Sequence, residues 1–215
     1  MENIYKQHDD CQIPGLQEIY AGVFGLIKDG TFCEVGAYDG VSWSNTTFLV
    51  KLGWKGLYVE PIEELAKLCL QNYHYTNNVR VANIAAGAQD DQELYFKHNT
   101  DAPWLYTANE DYGKLNGVNQ DVGLIRTKKL DNILTDAGFN KGFELLVIDV
   151  EGMELEVLTG FNCMYWMPKL VIIETHELNP NSDMAKHAGD ICSYFISANY
   201  IKIYTSGINT IFLRK

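Results

Sequence analysis

Carboxylates and small polar residues follow each of five apolar segments, at positions where they could share one site. The residues are Glu34, Gly36, Asp39 and Gly40, then Glu60, then Asn83 and Ala85, then Asp149 and Glu151, and finally Glu174 and His176. Six of these eleven are carboxylates, so a shared site would attract a cation. A histidine among carboxylates can also take a proton from a reacting group. The chemistry we expect is binding of a positively charged ligand beside a general base.

The glycine loop at residues 36–40 lacks the GxGxxG pattern that carries pyrophosphate cofactors. S-adenosylmethionine has no phosphate and carries a sulfonium and an ammonium group, so a glycine loop among carboxylates suits it better. Glu60 and Pro61 end the next apolar segment, where an acidic residue can accept both ribose hydroxyls. An NAD-dependent oxidoreductase is the alternative that the missing pattern disfavours.

The catalytic candidates are the polar residues at the last two strand ends: Asp149, Glu151, Glu174 and His176. Each could remove the proton of an acceptor group, and Asp149 is also expected to contact the cofactor. Glu151 could instead cap the helix that follows. A divalent metal held by the same four residues is conceivable from their chemistry but is not predicted. The other histidines, His8, His74, His98 and His187, have no context that suggests chemistry.

Strands and helices that alternate along residues 31–198 must position these side chains, and this alternation predicts a parallel sheet covered on both faces. The pattern predicts a short strand that runs into the glycine loop within 31–40, further strands at 56–60, 79–86, 93–96, 143–150, 169–175, 200–204 and 210–213, and helices at 14–28, 42–52, 62–72, 130–137, 151–159 and 185–198. The last two strands are joined by a short turn and must pair antiparallel. The expected fold class is α/β: a three-layer α/β/α Rossmann-like methyltransferase fold, with a mostly parallel seven-stranded sheet and an antiparallel C-terminal hairpin strand.

Two groups of aromatic residues are expected to differ in role. Residues 98–123 interrupt the regular pattern and are interpreted as an irregular loop over the substrate, in which Trp104, Tyr106 and Tyr112 contact the acceptor. Trp43 and Trp54 lie in predicted regular elements and are expected in the core.

Several segments resemble the FkbM methyltransferases, which depend on S-adenosylmethionine. They are FCEVGAYDGVSWSNTTFLVKLGWKGLYVEP at 32–61, RVANIAAG at 80–87, TKKLDNIL at 127–134, LLVIDVEGMELEVLTG at 145–160, VIIETHE at 171–177 and NTIFLRK at 209–215. The opening residues 5–10 are also similar to one branch of the family. The expected organisation is an N-terminal helical segment at 1–30 packed on one FkbM-like domain at 31–215.

The resemblance implies a cofactor site and a reaction. The cofactor residues expected from the loop and the resemblance together are Glu34, Gly36, Ala37, Tyr38, Asp39, Gly40, Asn45, Glu60, Pro61, Asn83, Ala85 and Asp149. Family members mostly methylate oxygen on sugars, polyketides and other natural products, so O-methylation of a small acceptor is expected. The alternatives are a silent module that only binds the cofactor and an N-methyltransferase of the same fold. Many relatives have Asp where Glu34 stands, which leaves its contact open.

Composition limits the partners. The formal net charge of −11 argues against a nucleic-acid backbone and against an anionic membrane. The chain has five cysteines, an odd number, and its first ten residues are polar. These two features lead us to expect a cytoplasmic protein. We expect its acceptor to be a small molecule or a saccharide. The oligomeric state is not indicated by the sequence.

Overall fold

The computed structural model describes Tyr5, residues 11–177 and residues 182–215, with the side chain of residue 182 outside the description. The expectations for residues 1–4 and 6–10 of the N-terminal segment, His8 among them, therefore lie outside the described residues, as do residues 178–181.

A seven-stranded sheet forms the centre of the fold. Its strands are β1 (Thr31–Val35), β2 (Lys55–Val59), β3 (Val79–Ala82), β8 (Leu145–Ile148), β9 (Leu170–Glu174), β10 (Tyr200–Thr205) and β11 (Asn209–Arg214). Their order is β10-β11-β9-β8-β1-β2-β3. The pairings among β3, β2, β1, β8 and β9 are parallel, and β11 pairs antiparallel with both β9 and β10. The predicted fold class is confirmed.

Helices cover both faces because the buried strands present apolar side chains in both directions. The helices are α1 (Leu16–Phe24), α2 (Thr47–Lys51), α3 (Glu63–Asn72), α4 (Glu110–Leu115), α5 (Leu130–Asp136), α6 (Glu154–Thr159), α7 (Cys163–Trp166) and α8 (Ser182–Ser197). One apolar cluster joins α5, α6, α7 and α8 to the sheet, and the other joins α1, α2 and α3. Leu16, Tyr20 and Phe24 bury the inner face of α1 in the second cluster. The division at residues 30 and 31 stays a prediction.

Residues 98–123 are not an irregular loop, and this expectation was wrong. They contribute to β5 (Glu93–Asn99), β6 (Ala102–Thr107), α4 and β7 (Gln120–Lys128). These strands build a second sheet in the order β4-β7-β5-β6, with β4 at Ala85–Ala86. The Asn, Asp and Gly content of the segment marks its turns: Asn109, for example, caps α4 by accepting hydrogen bonds from two backbone amides.

In three of the predicted elements, polar side chains or left-handed backbone angles change the bounds. The strand predicted at 79–86 is broken at Asn83, whose amide donates to the carbonyls of Glu60 and Pro61 and passes the chain from one sheet to the other. The helix predicted at 42–52 is shortened to α2. The helix predicted at 151–159 begins only at Glu154, because Glu151 and Gly152 have left-handed backbone angles.

Candidate active site

A cavity of about 740 Å³ lies at the carboxyl ends of β1, β2, β8 and β9, bounded on the other side by the second sheet. Fourteen of the predicted site residues line it: Glu34, Gly36, Ala37, Tyr38, Glu60, Pro61, Ala85, Trp104, Tyr106, Tyr112, Asp149, Glu151, Glu174 and His176. The structure thus brings together most of the residues expected to bind cofactor, to catalyse or to contact acceptor.

Four predicted cofactor residues do not line the cavity, because their polar groups bind protein. Asp39 accepts hydrogen bonds from the amides of Val41 and Ser42, and the carbonyl of Gly40 accepts from the hydroxyl of Thr47. Asn45 donates to the side chain of Gln12, 2.9 Å away. Asn83 bridges the two sheets as described above. Direct cofactor contacts for Asp39, Gly40, Asn45 and Asn83 stay predictions that this geometry does not favour.

Gly36 allows two strand ends to approach closely. Its φ is 82°, and a Cβ atom added to it would lie 1.6 Å from the carbonyl oxygen of Asp149. Only glycine tolerates both the backbone angle and the contact. The loop after β1 is therefore packed without an intervening side chain against the loop after β8, which carries the catalytic candidates Asp149 and Glu151 and is called the catalytic loop below.

Glu60 presents a fixed, buried carboxylate to the cavity. Its two oxygens accept hydrogen bonds from the backbone amides of Tyr38 and Ile62, at 2.8 and 2.9 Å. Each oxygen keeps a lone pair for a further donor, which is what two adjacent ribose hydroxyls require. Burial raises the pKa of Glu60 to about 7.

Glu34 is held by hydroxyl groups that the sequence pattern did not reveal. Ser44 donates to its Oε2 atom at 3.0 Å, and the hydroxyl of Thr46 makes a second, very short hydrogen bond to the same oxygen. Because Ser44 and Thr46 bind Glu34, the chain does not become helical until Thr47. Burial raises the pKa of Glu34 to about 7.

Asp149 receives a side chain from the N-terminal segment. The amide nitrogen of Gln12 lies 2.7 Å from Oδ2 of Asp149, and Asn45 orients that amide from the other side. Burial raises the pKa of Asp149 to about 6, while the Gln12 hydrogen bond acts in the opposite direction. Gln12 lines the cavity and was missed, because one glutamine before a predicted helix gives no sequence signal.

Glu151 does not cap the following helix; it lies in a turn that the second sheet holds in place. Its hydroxyl partner is Tyr112, which donates to Oε2 at 2.7 Å. Thr107 donates to the carbonyl of Glu151, and Asn109 donates to that of Gly152. Burial, followed by the charge of Asp149, raises the pKa of Glu151 to about 8. Tyr112 therefore fixes a catalytic candidate, in addition to lining the cavity.

Glu174 and His176 are in direct contact at the wall. Nε2 of His176 lies 3.1 Å from Oε1 of Glu174 and 3.3 Å from the hydroxyl of Tyr112. Burial lowers the pKa of His176 below its ordinary value of 6.5, whereas burial and neighbouring carboxylates raise that of Glu174. The backbone amides of Thr175 and His176 both donate to the carbonyl of Ile208 in the C-terminal hairpin.

Glu154 and His187 support the catalytic loop from behind and were also missed. Oε1 of Glu154 accepts from the amides of Val150 and Gly152, at 3.1 and 3.3 Å. Oε2 of Glu154 contacts Nε2 of His187, on α8. His187, for which the sequence suggested only a surface or packing role, makes this structural contact with Glu154. Glu154 could have been suspected from its place within IDVEGMELEVLTG, but a contact with residue 187 leaves no local pattern.

Aromatic rings form one rim of the cavity. Trp43 is 42% exposed, which corrects its assignment to the core, whereas Trp54 is fully buried as expected. The rings of Trp43 and Trp104 meet edge to face with centroids 5.1 Å apart, and Tyr38 lies beside Trp43. Tyr106 stacks on His98. These exposed faces can cover a ligand.

Strained backbone is concentrated at this cavity. Four of the seven non-glycine residues with positive φ in the described part of the chain line it: Tyr38, Trp43, Glu151 and His176. Such angles cost free energy and persist where the surrounding structure enforces them, commonly at functional sites.

The lining is strongly acidic. It contains five carboxylates and, among the described residues, neither lysine nor arginine. Buried carboxylates with raised pKa values favour a cationic ligand that restores their charged form, and a pyrophosphate would be repelled. The chemistry of these residues fits a cation such as S-adenosylmethionine. The described residues contain no cluster of three or more His, Cys, Asp or Glu arranged to hold a metal ion.

Comparison with known proteins identifies the family. A sequence model described as the methyltransferase FkbM domain matches residues 34–202, well over half of the chain. The chain therefore belongs to the FkbM methyltransferase family and is an S-adenosylmethionine-dependent methyltransferase. No curated protein matches its sequence.

Several solved structures are similar to this chain, and one of them, with a TM-score above 0.5, supports the fold. A structure described as monomeric WbdD is similar over 94% of this chain and 41% of its own, with a TM-score of 0.51 and 12% identity. A fibrillarin/Nop5p complex matches over 88% and 74% with a TM-score of 0.49 and 10% identity. A TehB-like SAM-dependent methyltransferase from Corynebacterium glutamicum matches over 93% and 86%, with a TM-score of 0.45 and 10% identity. Identities this low bear on the fold alone.

Proposed function

We propose that this enzyme methylates a hydroxyl group on a sugar or another small natural product, with His176 as the general base. The observation that carries the proposal is the pair of His176 and Glu174 in the wall of the acidic cavity. Because burial lowers the pKa of His176, its imidazole is neutral at pH 7 and able to accept a proton.

The cofactor is held by this chain's own acidic groups. S-adenosylmethionine supplies an electrophilic methyl group, and its sulfur retains the electron pair of the C–S bond that breaks. Glu60 would bind the ribose, and Glu34 and Asp149 would attract the positive charges. Ala85 and Pro61 also line the cavity and would provide an apolar wall for the adenine ring. Positioning of acceptor and cofactor supplies much of the rate enhancement in such a displacement.

His176 takes the acceptor's proton. When Nε2 donates its hydrogen to the hydroxyl oxygen of Tyr112, 3.3 Å away, the lone pair lies on Nδ1, which has no hydrogen-bond partner among the described residues. The acceptor oxygen forms its bond to carbon while its hydrogen passes to Nδ1. Tyr112 donates to Glu151 and keeps that carboxylate beside the imidazole. General bases of this kind contribute about 10²–10⁴-fold to rates.

The cavity favours an uncharged acceptor. Its lining contains the polar residues Asn99, Asn116, Ser206 and Asn209 as well as the rim tryptophans, a combination that suits the polar edges and apolar faces of a sugar ring. The acidic wall and the net charge of −11 disfavour nucleic acid and anionic membranes as partners. No helix in the described part of the chain has both the length and the apolar character needed to cross a bilayer.

Two other functions are separated from this one by experiment. A silent binding module would bind S-adenosylmethionine without turnover, and an N-methyltransferase would transfer to amines. The test is transfer of a labelled methyl group to panels of hydroxyl and amine acceptors by wild-type protein, His176→Gln and Asp149→Ala. We expect transfer to hydroxyls, lowered at least about 100-fold by His176→Gln with unchanged S-adenosylhomocysteine affinity. Transfer only to amines, or equal turnover by His176→Gln, contradicts the proposal.

A further inference from the structure

Two buried side chains at one corner of the cavity carry oxygens without a hydrogen-bond partner. Glu174 ends β9 and Asn209 begins β11; they are 6% and 4% exposed, and both line the cavity. Among the described residues, Oε2 of Glu174 and Oδ1 of Asn209 have no partner. Asn209 lies outside residues 34–202, the range matched by the family.

The two side chains are neighbours in the sheet. Asn209 and Glu174 are direct partners in the antiparallel pairing of β11 with β9. Directly opposed residues in such a pair project to the same face, with their Cβ atoms about 4.5–5.5 Å apart. The two unpaired oxygens therefore face the cavity side by side.

The turn before β11 does not use the side chain of Asn209 for its own hydrogen bonds. An asparagine at a turn commonly binds its own backbone. Here Ser206 binds the backbone of Asn209 instead. The Ser206 hydroxyl accepts from the backbone amide of Asn209, and the Ser206 backbone amide donates to the Asn209 carbonyl, both at 2.9 Å. Buried polar groups in native structures find a partner in protein, water or ligand. The unpaired atoms therefore point to a molecule that binds here.

Glu174 connects this corner to the base. While Oε2 is unpaired, Oε1 of the same carboxyl contacts His176. A hydroxyl bound at Oε2 would thus lie next to the imidazole. The side-chain amide of Asn209 can both accept and donate hydrogen bonds, which matches a hydroxyl, whereas an ammonium group can only donate.

We propose that Asn209 and Glu174 form an acceptor-binding pair that reads two adjacent hydroxyls, a vicinal diol, and thereby selects which hydroxyl reaches His176. The proposal rests on the function proposed above, because it assumes a hydroxyl acceptor. The absence of lysine and arginine from the described lining makes a phosphate or carboxylate next to the diol unfavourable.

The test measures binding to protein loaded with S-adenosylhomocysteine. Methyl glycosides with cis or trans vicinal diols, and the analogues lacking either hydroxyl, are titrated by calorimetry into wild-type protein, Asn209→Leu and Asn209→Asp. For at least one diol we expect wild-type affinity to fall about tenfold when either hydroxyl is removed, the loss of one hydrogen bond. Asn209→Leu should bind diol and deoxy forms within about twofold of each other, and Asn209→Asp, which keeps the oxygen, should retain the preference.

S-adenosylhomocysteine affinity and melting temperature are measured for each variant to show that folding and the cofactor site are intact. A wild-type protein that prefers no diol, or an Asn209→Leu protein that keeps the wild-type preference, overturns the pair. Labelled methyl transfer is followed in parallel. If methyl is transferred to hydroxyls but Asn209→Leu keeps the wild-type preference for diols, only the proposed acceptor-binding pair is refuted. If diols bind as expected but no hydroxyl is methylated, only the proposed O-methylation is refuted.

Discussion

Glu154 and His187 are in direct contact although they lie on different helices, with Nε2 of His187 3.0 Å from Oε2 of Glu154. The other carboxylate oxygen of Glu154 binds the amides of Val150 and Gly152 in the catalytic loop. A substitution on α8 is therefore transmitted to the loop that carries Asp149 and Glu151 by two hydrogen-bonded steps.

Glu154→Ala should destabilise the protein by about 1–3 kcal/mol for the buried amides left without a partner, measured by urea unfolding. Glu154→Gln keeps an oxygen acceptor and should cost less. Burial acts to lower the pKa of His187, but the hydrogen bond and charge of Glu154 outweigh it and raise that pKa overall. The stabilisation from His187 should thus be complete below pH 6.5 and be lost as pH rises through the raised folded-state value. If His187→Gln shows the same pH dependence as wild type, this coupling is wrong.

Stability without cofactor should fall as pH rises. Burial raises the pKa of Glu34 and Glu60 to about 7, from an ordinary value of 4.5. Groups with raised values stabilise the fold fully below pH 4.5 and lose that contribution as pH rises through about 7. Glu34 alone corresponds to roughly 3 kcal/mol. Thermal melts from pH 5 to 8 should show the decline, and Glu34→Gln should flatten it. The exposed Glu110→Gln serves as control, and equal slopes in both variants would refute the assignment.

Glu60→Ala should weaken cofactor binding by about 1–3 kcal/mol, because it removes the buried acceptor for two hydrogen bonds. Calorimetric titration with S-adenosylhomocysteine measures the change. The matched control is Glu63→Ala, which removes an exposed carboxylate three residues further along the chain, on α3. This variant should bind S-adenosylhomocysteine with wild-type affinity. Wild-type affinity in Glu60→Ala would rule out the ribose contact.

Gln12→Ala should shift the acidic side of the pH–rate profile upward. The Gln12 amide donates to Asp149 and favours its charged form, so its loss raises the pKa of Asp149 above about 6. Gln12→Glu places a second carboxylate there and should shift the profile further. Profiles of kcat/KM from pH 5 to 8 provide the measurement, with Gln71→Ala on α3 as control. Coincident profiles for all four proteins would exclude a role for the N-terminal segment in catalysis.

The strand ends and their carboxylates were predictable because buried parallel strands have a strong apolar signal and are followed directly by the functional residues. Glu34, Glu60, Asp149 and Glu174 all satisfy that rule and line the cavity. The helix starts were less predictable, because side chains at Ser44 and Thr46 compete with helical hydrogen bonds by binding Glu34.

Contacts over long sequence distances could not be predicted from a single chain. Gln12 meets Asp149 across 137 residues, and Asn209 meets Glu174 only because β11 turns back beside β9. The second sheet was hidden for another reason: its strands alternate exposed and partly buried side chains, with polar residues such as Lys97 and Gln120 in them, so the segment resembled a loop.

The double hydrogen bond to the Ile208 carbonyl connects the C-terminal hairpin to the cavity wall. The turn that accepts these bonds contacts His176, whose φ is positive, and leads directly into Asn209 at the start of β11. A change in the length of this turn would therefore displace two residues of the cavity wall at once.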